Sequence, residues 1–75
     1  MTSVLKIHSI RGDDEFEWDP AVDDARLRRA KEEFASARQR QFFAYEREAN
    51  GDTRVIDAFD PRAREILMAV PLLGG

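Results

Sequence analysis

The sequence predicts a two-layer α+β domain in which one main helix covers one face of a mixed sheet of four to five strands. Three observations carry that prediction. Stretches of alternating apolar and polar residues flank two turn signals, Arg11-Gly12-Asp13-Asp14 and Asn50-Gly51-Asp52. One long stretch without Gly or Pro, ending near residue 40, carries a single apolar stripe. A densely apolar run, ILMAVPLL, fills residues 66–73.

The elements follow in chain order. Residues 4–10 (VLKIHSI) mix β-branched and apolar side chains at strand length. Leu5, Ile7 and Ser9 fall on one face, and Val4, Lys6, His8 and Ile10 on the other. Gly and Asp tolerate the left-handed backbone a tight hairpin needs, so the Arg11-Gly12-Asp13-Asp14 segment reads as its turn. Glu15-Phe16-Glu17-Trp18-Asp19 then alternates, with Phe16 and Trp18 on one side and three acids on the other.

Asp19-Pro20 has the chemistry of a helix start, because Asp accepts free N–H groups and Pro suits the first helical position; Asp23 is an alternative cap. Leu27, Ala30, Phe34 and Ala37 recur at steps of three and four, with Val22 before them and Gln41 after them on the same side. The stripe is narrow, so only one helix face is buried. Asp23 and Asp24 near the start and Arg38 and Arg40 near the end complement the helix dipole.

Residues 41–48 (QFFAYERE) return to a strand pattern, with Phe43 and Tyr45 on one face and Phe42 and Ala44 on the other. Residues 53–59 (TRVIDAF) pair with them through the Asn50-Gly51-Asp52 turn. Asp60-Pro61 starts a short helical turn over 62–65. Residues 66–73 form the last strand, apolar enough for the sheet centre beside the first strand. Pro71, with no N–H to donate, would end its regular pairing.

A length of 75 residues suits one domain, 1–73, followed by a flexible Gly74-Gly75 tail. A chain this short buries only about 60% of the surface its unfolded form exposes. Phe16, Trp18, Phe34, Phe43 and Tyr45 are therefore assigned to the core rather than to a base-stacking platform. The sequence has no Cys, which excludes disulfides, thiolate metal sites and a cysteine nucleophile. Its single histidine, His8, reads as an ordinary strand residue, and no constellation supports an enzyme.

The apolar run is too short to span a bilayer and the N-terminus shows no secretory pattern, so a cytoplasmic location without a membrane partner is expected. Twelve Lys and Arg against fifteen Asp and Glu give a net charge of −3, which argues against nucleic acid as a partner. The charge is uneven. Residues 13–24 hold seven acids and no base, whereas 26–40 hold six bases and two acids. Pairing between these two regions is one account; the other is that Arg26, Arg28 and Arg29 steer a protein partner. Arg11-Gly12-Asp13 spells an adhesion tripeptide and is read as turn chemistry.

The element order, the length and the Gly74-Gly75 pair after the last expected strand together resemble the ubiquitin-like β-grasp superfamily. From Gly51-Asp52 through Ala69-Val70-Pro71-Leu72-Leu73-Gly74-Gly75 the chain is similar to the endings of prokaryotic sulfur carriers, the small subunit of molybdopterin synthase and its thiamine-pathway relative. Phe59-Asp60-Pro61, Glu65-Ile66 and Pro71 also resemble small actinobacterial ubiquitin-like proteins. The chain departs from the sulfur-carrier pattern in its single proline before the terminal loop and its long, highly charged helix.

That resemblance implies a monomeric carrier or modifier without a cofactor of its own. A separate adenylating enzyme would use ATP to activate the Gly75 carboxylate, which a thiol, amine or sulfide then attacks. Gly74 and Gly75 would be the reactive terminus, since residues without a Cβ thread a narrow channel most easily. Leu72 and Leu73 would be gripped by the partner. The alternative is a non-covalent ubiquitin-like interaction or assembly module with an unreactive tail. Relatives often dock partners on the open sheet face, for which Val4, Lys6 and His8, with Phe42 and Ala44 or Arg54 and Ile56, are candidates. Alternation alone does not say which face is open.

Overall fold

Turn chemistry and alternation yield five strands and one helix in the computed structural model, which describes residues 2–70. The elements are β1 (Ser3–Ser9), β2 (Gly12–Trp18), α1 (Ala25–Gln39), β3 (Phe43–Arg47), β4 (Thr53–Ile56) and β5 (Glu65–Ala69). They form one mixed sheet in the order β2-β1-β5-β3-β4. The β1–β5 pair is parallel and the other three pairs are antiparallel. The apolar last strand therefore takes the central position beside β1 that its composition suggests.

The first hairpin closes at the Ser9–Gly12 pair, leaving Ile10 and Arg11 as its loop. Gly12 has φ 122°, a backbone that side chains with a Cβ rarely adopt. Ser9 Oγ accepts from the Arg11 N–H at 3.2 Å and donates to the Gly12 carbonyl at 2.9 Å. The turn thus falls earlier than the sequence suggested, and Asp13 and Asp14 belong to β2. In the second hairpin Asn50 Oδ1 accepts the Asp52 N–H at 3.0 Å, beside Gly51 at φ 93°.

The helix starts later than Asp19-Pro20. Asp19 closes a turn instead, its Oδ1 accepting from the Ala21 N–H at 2.9 Å and its carbonyl from the Val22 N–H at 3.0 Å. The cap is Asp24, whose carboxylate accepts the N–H groups of Arg26 and Leu27. Val22 consequently lies outside the helix and is exposed. The other end is a Schellman motif: Gln41 N–H donates to the Arg38 carbonyl at 2.9 Å and Phe42 N–H to that of Ala37 at 3.0 Å. Gln41 takes the left-handed position at φ 68°, which turns it out of the expected stripe and into solvent. Phe42 and Ala37, brought together by that motif, are both buried.

One face of the sheet meets α1 in the core. Leu5, Ile7, Trp18, Ala44, Ile66 and Met68 from the strands pack with Leu27, Ala30, Phe34 and Ala37 from the helix. All four core helix positions are those of the expected stripe. The aromatic assignment needs correction on β3. Phe43 is exposed and Tyr45 half-buried on the opposite face, while Phe42 and Ala44 are buried. Two polar groups interrupt the core. Ser3 Oγ and Glu46 Oε1 are buried without a hydrogen-bond partner among the described residues, and Glu46 Oε2 accepts from Arg54 at 3.4 Å.

Residues 57–64 cross back from β4 to β5. Asp60 does not start a helical turn: its Oδ1 accepts from Arg62 N–H at 2.9 Å and its carbonyl from Ala63 N–H at 3.1 Å, closing a single turn. Trp18 anchors this crossing, since its indole N–H donates to the Pro61 carbonyl at 2.9 Å. The Phe59 ring lies 5.1 Å from Trp18 and 5.6 Å from Phe34. β4 stops at Ile56 rather than at residue 59, and β5 runs from Glu65 to Ala69, so Val70 is already outside the strand. The expected continuation over Pro71, Leu72 and Leu73 and the Gly74-Gly75 tail lie outside the described residues.

Candidate functional site

Because directly paired residues share a face, the register assigns the side of the sheet away from α1 in three rows. One row runs Glu17, Val4, Glu65, Arg47, Thr53 from β2 to β4. The next runs Glu15, Lys6, Leu67, Tyr45, Val55. The last runs Asp13, His8, Ala69, Phe43. Val4, Lys6 and His8 are thus on the helix-free face, but neither pair expected to join them is. Their neighbours on β3 and β4 are Phe43, Tyr45 and Val55; Phe42, Ala44, Arg54 and Ile56 belong to the other side. Large aromatic size had suggested core, and only the register shows otherwise.

This face is divided chemically. Its β2 half is acidic, and its centre is an ion-pair cluster around Glu65. Lys6 Nζ lies 2.9 Å from Glu65 and 3.9 Å from Glu15, and Arg47 lies 3.4 Å from Glu65. The hydrogen bond to Glu65, reinforced by its charge, holds the Lys6 ammonium above its ordinary pKa of 10.5. Its β3–β4 half is apolar: Phe43 is 44% exposed and Val55 64%, with Leu67 and Tyr45 half-buried between them. Large apolar groups left in water side by side mark a contact surface better than scattered ones do.

A second apolar patch lies beside Val70, just past the end of β5. Ser9, Ile10, Arg11, Arg40, Phe42 and Val70 line one groove there. Ile10 is fully exposed at the hairpin tip and Val70 is 51% exposed. The Arg40 guanidinium sits 4.9 Å from the centre of the Phe42 ring. Sequence reasoning missed this grouping, since Ile10 reads as one more strand residue until the hairpin loop is located.

Arg26 is tied to the Asp24 cap at 3.2 Å, and Arg29 pairs with Glu33 at 3.0 Å while lying 5.5 Å from the Phe16 ring centre. Arg28 is exposed on the helix. Arg26 and Arg29 line one groove with Glu15, Phe16, Glu17 and Ala25. His8 Nδ1 lies 2.8 Å from Asp13 Oδ1 across the first hairpin, both side chains exposed. Leu72, Leu73, Gly74 and Gly75 lie outside the described residues. Among the described residues no group of three or more His, Cys, Asp or Glu could hold a metal ion, and no helix is long and apolar enough to cross a membrane.

No protein-family model matches the chain, nor does any curated protein or solved structure match it.

Proposed function

We propose that the chain is a ubiquitin-like β-grasp module which a protein partner docks against on the helix-free face and handles through its Gly74-Gly75 segment. One helix between two hairpins, with the last strand central in the order β2-β1-β5-β3-β4, supports the β-grasp part of this reading. The observation that supports the functional reading is the apolar half-face of Phe43, Tyr45, Val55 and Leu67 beside the end of β5. A partner seated on that half-face meets β5, the strand whose sequence continues towards Gly74-Gly75.

In the carrier form of this reading, an adenylating enzyme joins the Gly75 carboxylate to the α-phosphate of ATP with release of pyrophosphate, and a thiol, amine or sulfide then attacks the acyl-adenylate and displaces AMP. The domain contributes recognition and the partner contributes the chemistry. The non-covalent form uses the same face and leaves Gly75 unmodified. Recognition is tested by capturing partners on the immobilised chain and comparing Phe43→Asp and Val55→Asp with Arg28→Glu. The reading expects partners lost with the first two variants and kept with the third. Equal capture by all three variants would remove the helix-free face from the account.

A further inference from the structure

A separate surface follows from the sheet edge, independent of the reading above. Among the described residues β2 pairs only with β1 and is the seven-residue edge of the sheet, whereas the opposite edge, β4, has four residues. Long free edges expose a row of unpaired N–H and C=O groups that another strand can use. The hairpin register tells which groups these are. In a two-residue hairpin the pair closing the loop, here Ser9–Gly12, exchanges backbone hydrogen bonds, and pairs alternate from there. Asp13, Glu15 and Glu17 then occupy the intervening positions and turn their backbone N–H and C=O groups outward. The close side-chain pairs His8–Asp13 and Lys6–Glu15 across the same hairpin agree with that phase.

We infer that the free edge of β2 is a strand-addition site for a basic extended segment of a partner protein, with Lys or Arg at alternate positions. The side chains of Asp13, Glu15 and Glu17 share the helix-free face, so every second residue of an added strand meets an acid. The strand carries no basic residue, and no proline interrupts its edge. On its other side the added strand faces Asp14 and Phe16. There a groove between β2 and α1, lined by Glu15, Phe16, Glu17, Ala25, Arg26 and Arg29, runs beside the half-buried Phe16, whose ring has the Arg29 guanidinium 5.5 Å from its centre. The same acids repel a second acidic edge, so the surface rejects a copy of itself and selects a cationic strand.

The probe is a synthetic peptide alternating Lys with Thr and one central Val, titrated to millimolar concentration at low salt. The control is a peptide of identical composition with its lysines consecutive. Binding of the alternating peptide, with amide hydrogen exchange slowed at Asp13, Glu15 and Glu17 and unchanged along α1, supports the inference. Glu15→Lys together with Glu17→Lys should weaken it by about tenfold or more, because two attractive cross-strand pairs become repulsive. The melting curve of that double variant confirms that the domain still folds. Binding without slowed exchange, or equal binding of the control, would reduce the effect to charge attraction and overturn strand addition. Absence of binding would also overturn it, leaving the acids only as a guard on the edge.

Discussion

Phe34→Ala tests the two-layer packing most sharply, because Phe34 joins the helix stripe to the crossing segment. Its ring is buried, meets the edge of Phe59 at 5.6 Å, and sits among the residues that close α1 onto the sheet. Truncation to Ala removes a whole ring from a small core with no spare side chain to fill the space. Such changes cost about 3–5 kcal/mol. A domain of this length has about 4–11 kcal/mol of total stability at usual per-residue values, so much of the margin disappears. Since about 1 kcal/mol moves Tm by about 4–8 °C at this size, the melting midpoint should fall by on the order of 20 °C. Urea unfolding followed by circular dichroism and by the single Trp18 gives the same quantity by two probes. Val55→Ala on the exposed face serves as the control, expected to stay within about 0.5 kcal/mol. A Phe34→Ala loss below about 1 kcal/mol, well under the cavity range, would mean the helix does not pack through this residue.

Trp18→Phe removes the indole N–H donor and leaves the Pro61 carbonyl without it, for an expected loss of about 1–3 kcal/mol in urea unfolding. Gln41→Gly should stabilise the protein by about 0.5–1 kcal/mol by relieving a left-handed residue that carries a Cβ, and Gln41→Val should destabilise it in the same assay. Partial burial pushes the Asp24 carboxyl up, but the Leu27 and Arg26 N–H groups and the Arg26 guanidinium outweigh it and hold the pKa below the ordinary 3.8. The stability this contributes is therefore present above pH 3.8 and lost as pH falls through the lower folded value, and Asp24→Ala should flatten that part of the Tm–pH curve. Lys6 has the opposite sign: its raised pKa gives stability that is complete below pH 10.5 and lost as pH rises above it, a loss Lys6→Met should remove.

The elements legible in the sequence were those with a repeated period. Leu27, Ala30, Phe34 and Ala37 announced the buried helix face because one helical stripe admits one solution. The clean alternation of β2 and the apolar content of β5 were equally plain. Helix ends were not legible, because the sequence offers Asp19, Asp23 and Asp24 as chemically equivalent caps and terminates the helix on Gln41 where glycine is the usual signal. Both Asp-Pro pairs read as helix starts and both close turns, since the same Asp oxygens satisfy a turn as readily as a first helical turn.

The helix-free face was half legible for a related reason. Alternation correctly separated Phe43 and Tyr45 from Phe42 and Ala44, but the period alone carries no label for the side that meets the helix. Residue size pointed the wrong way: the core takes Phe42, the small Ala44 and the carboxylate of Glu46, and leaves Phe43 outside. The grouping of Ile10, Arg11, Arg40 and Val70 depends on a loop position and a sheet order that no local window contains.

The carrier reading stands on the Gly75 carboxylate, and intact-mass spectrometry after incubation with ATP and an extract of the source cells interrogates it directly. The account predicts an ATP-dependent product, either the mass of an oxygen-to-sulfur exchange or a larger conjugate, that disappears when Gly74 and Gly75 are deleted and diminishes with Phe43→Asp. An unchanged mass in every condition, or a product that survives the deletion, would contradict it.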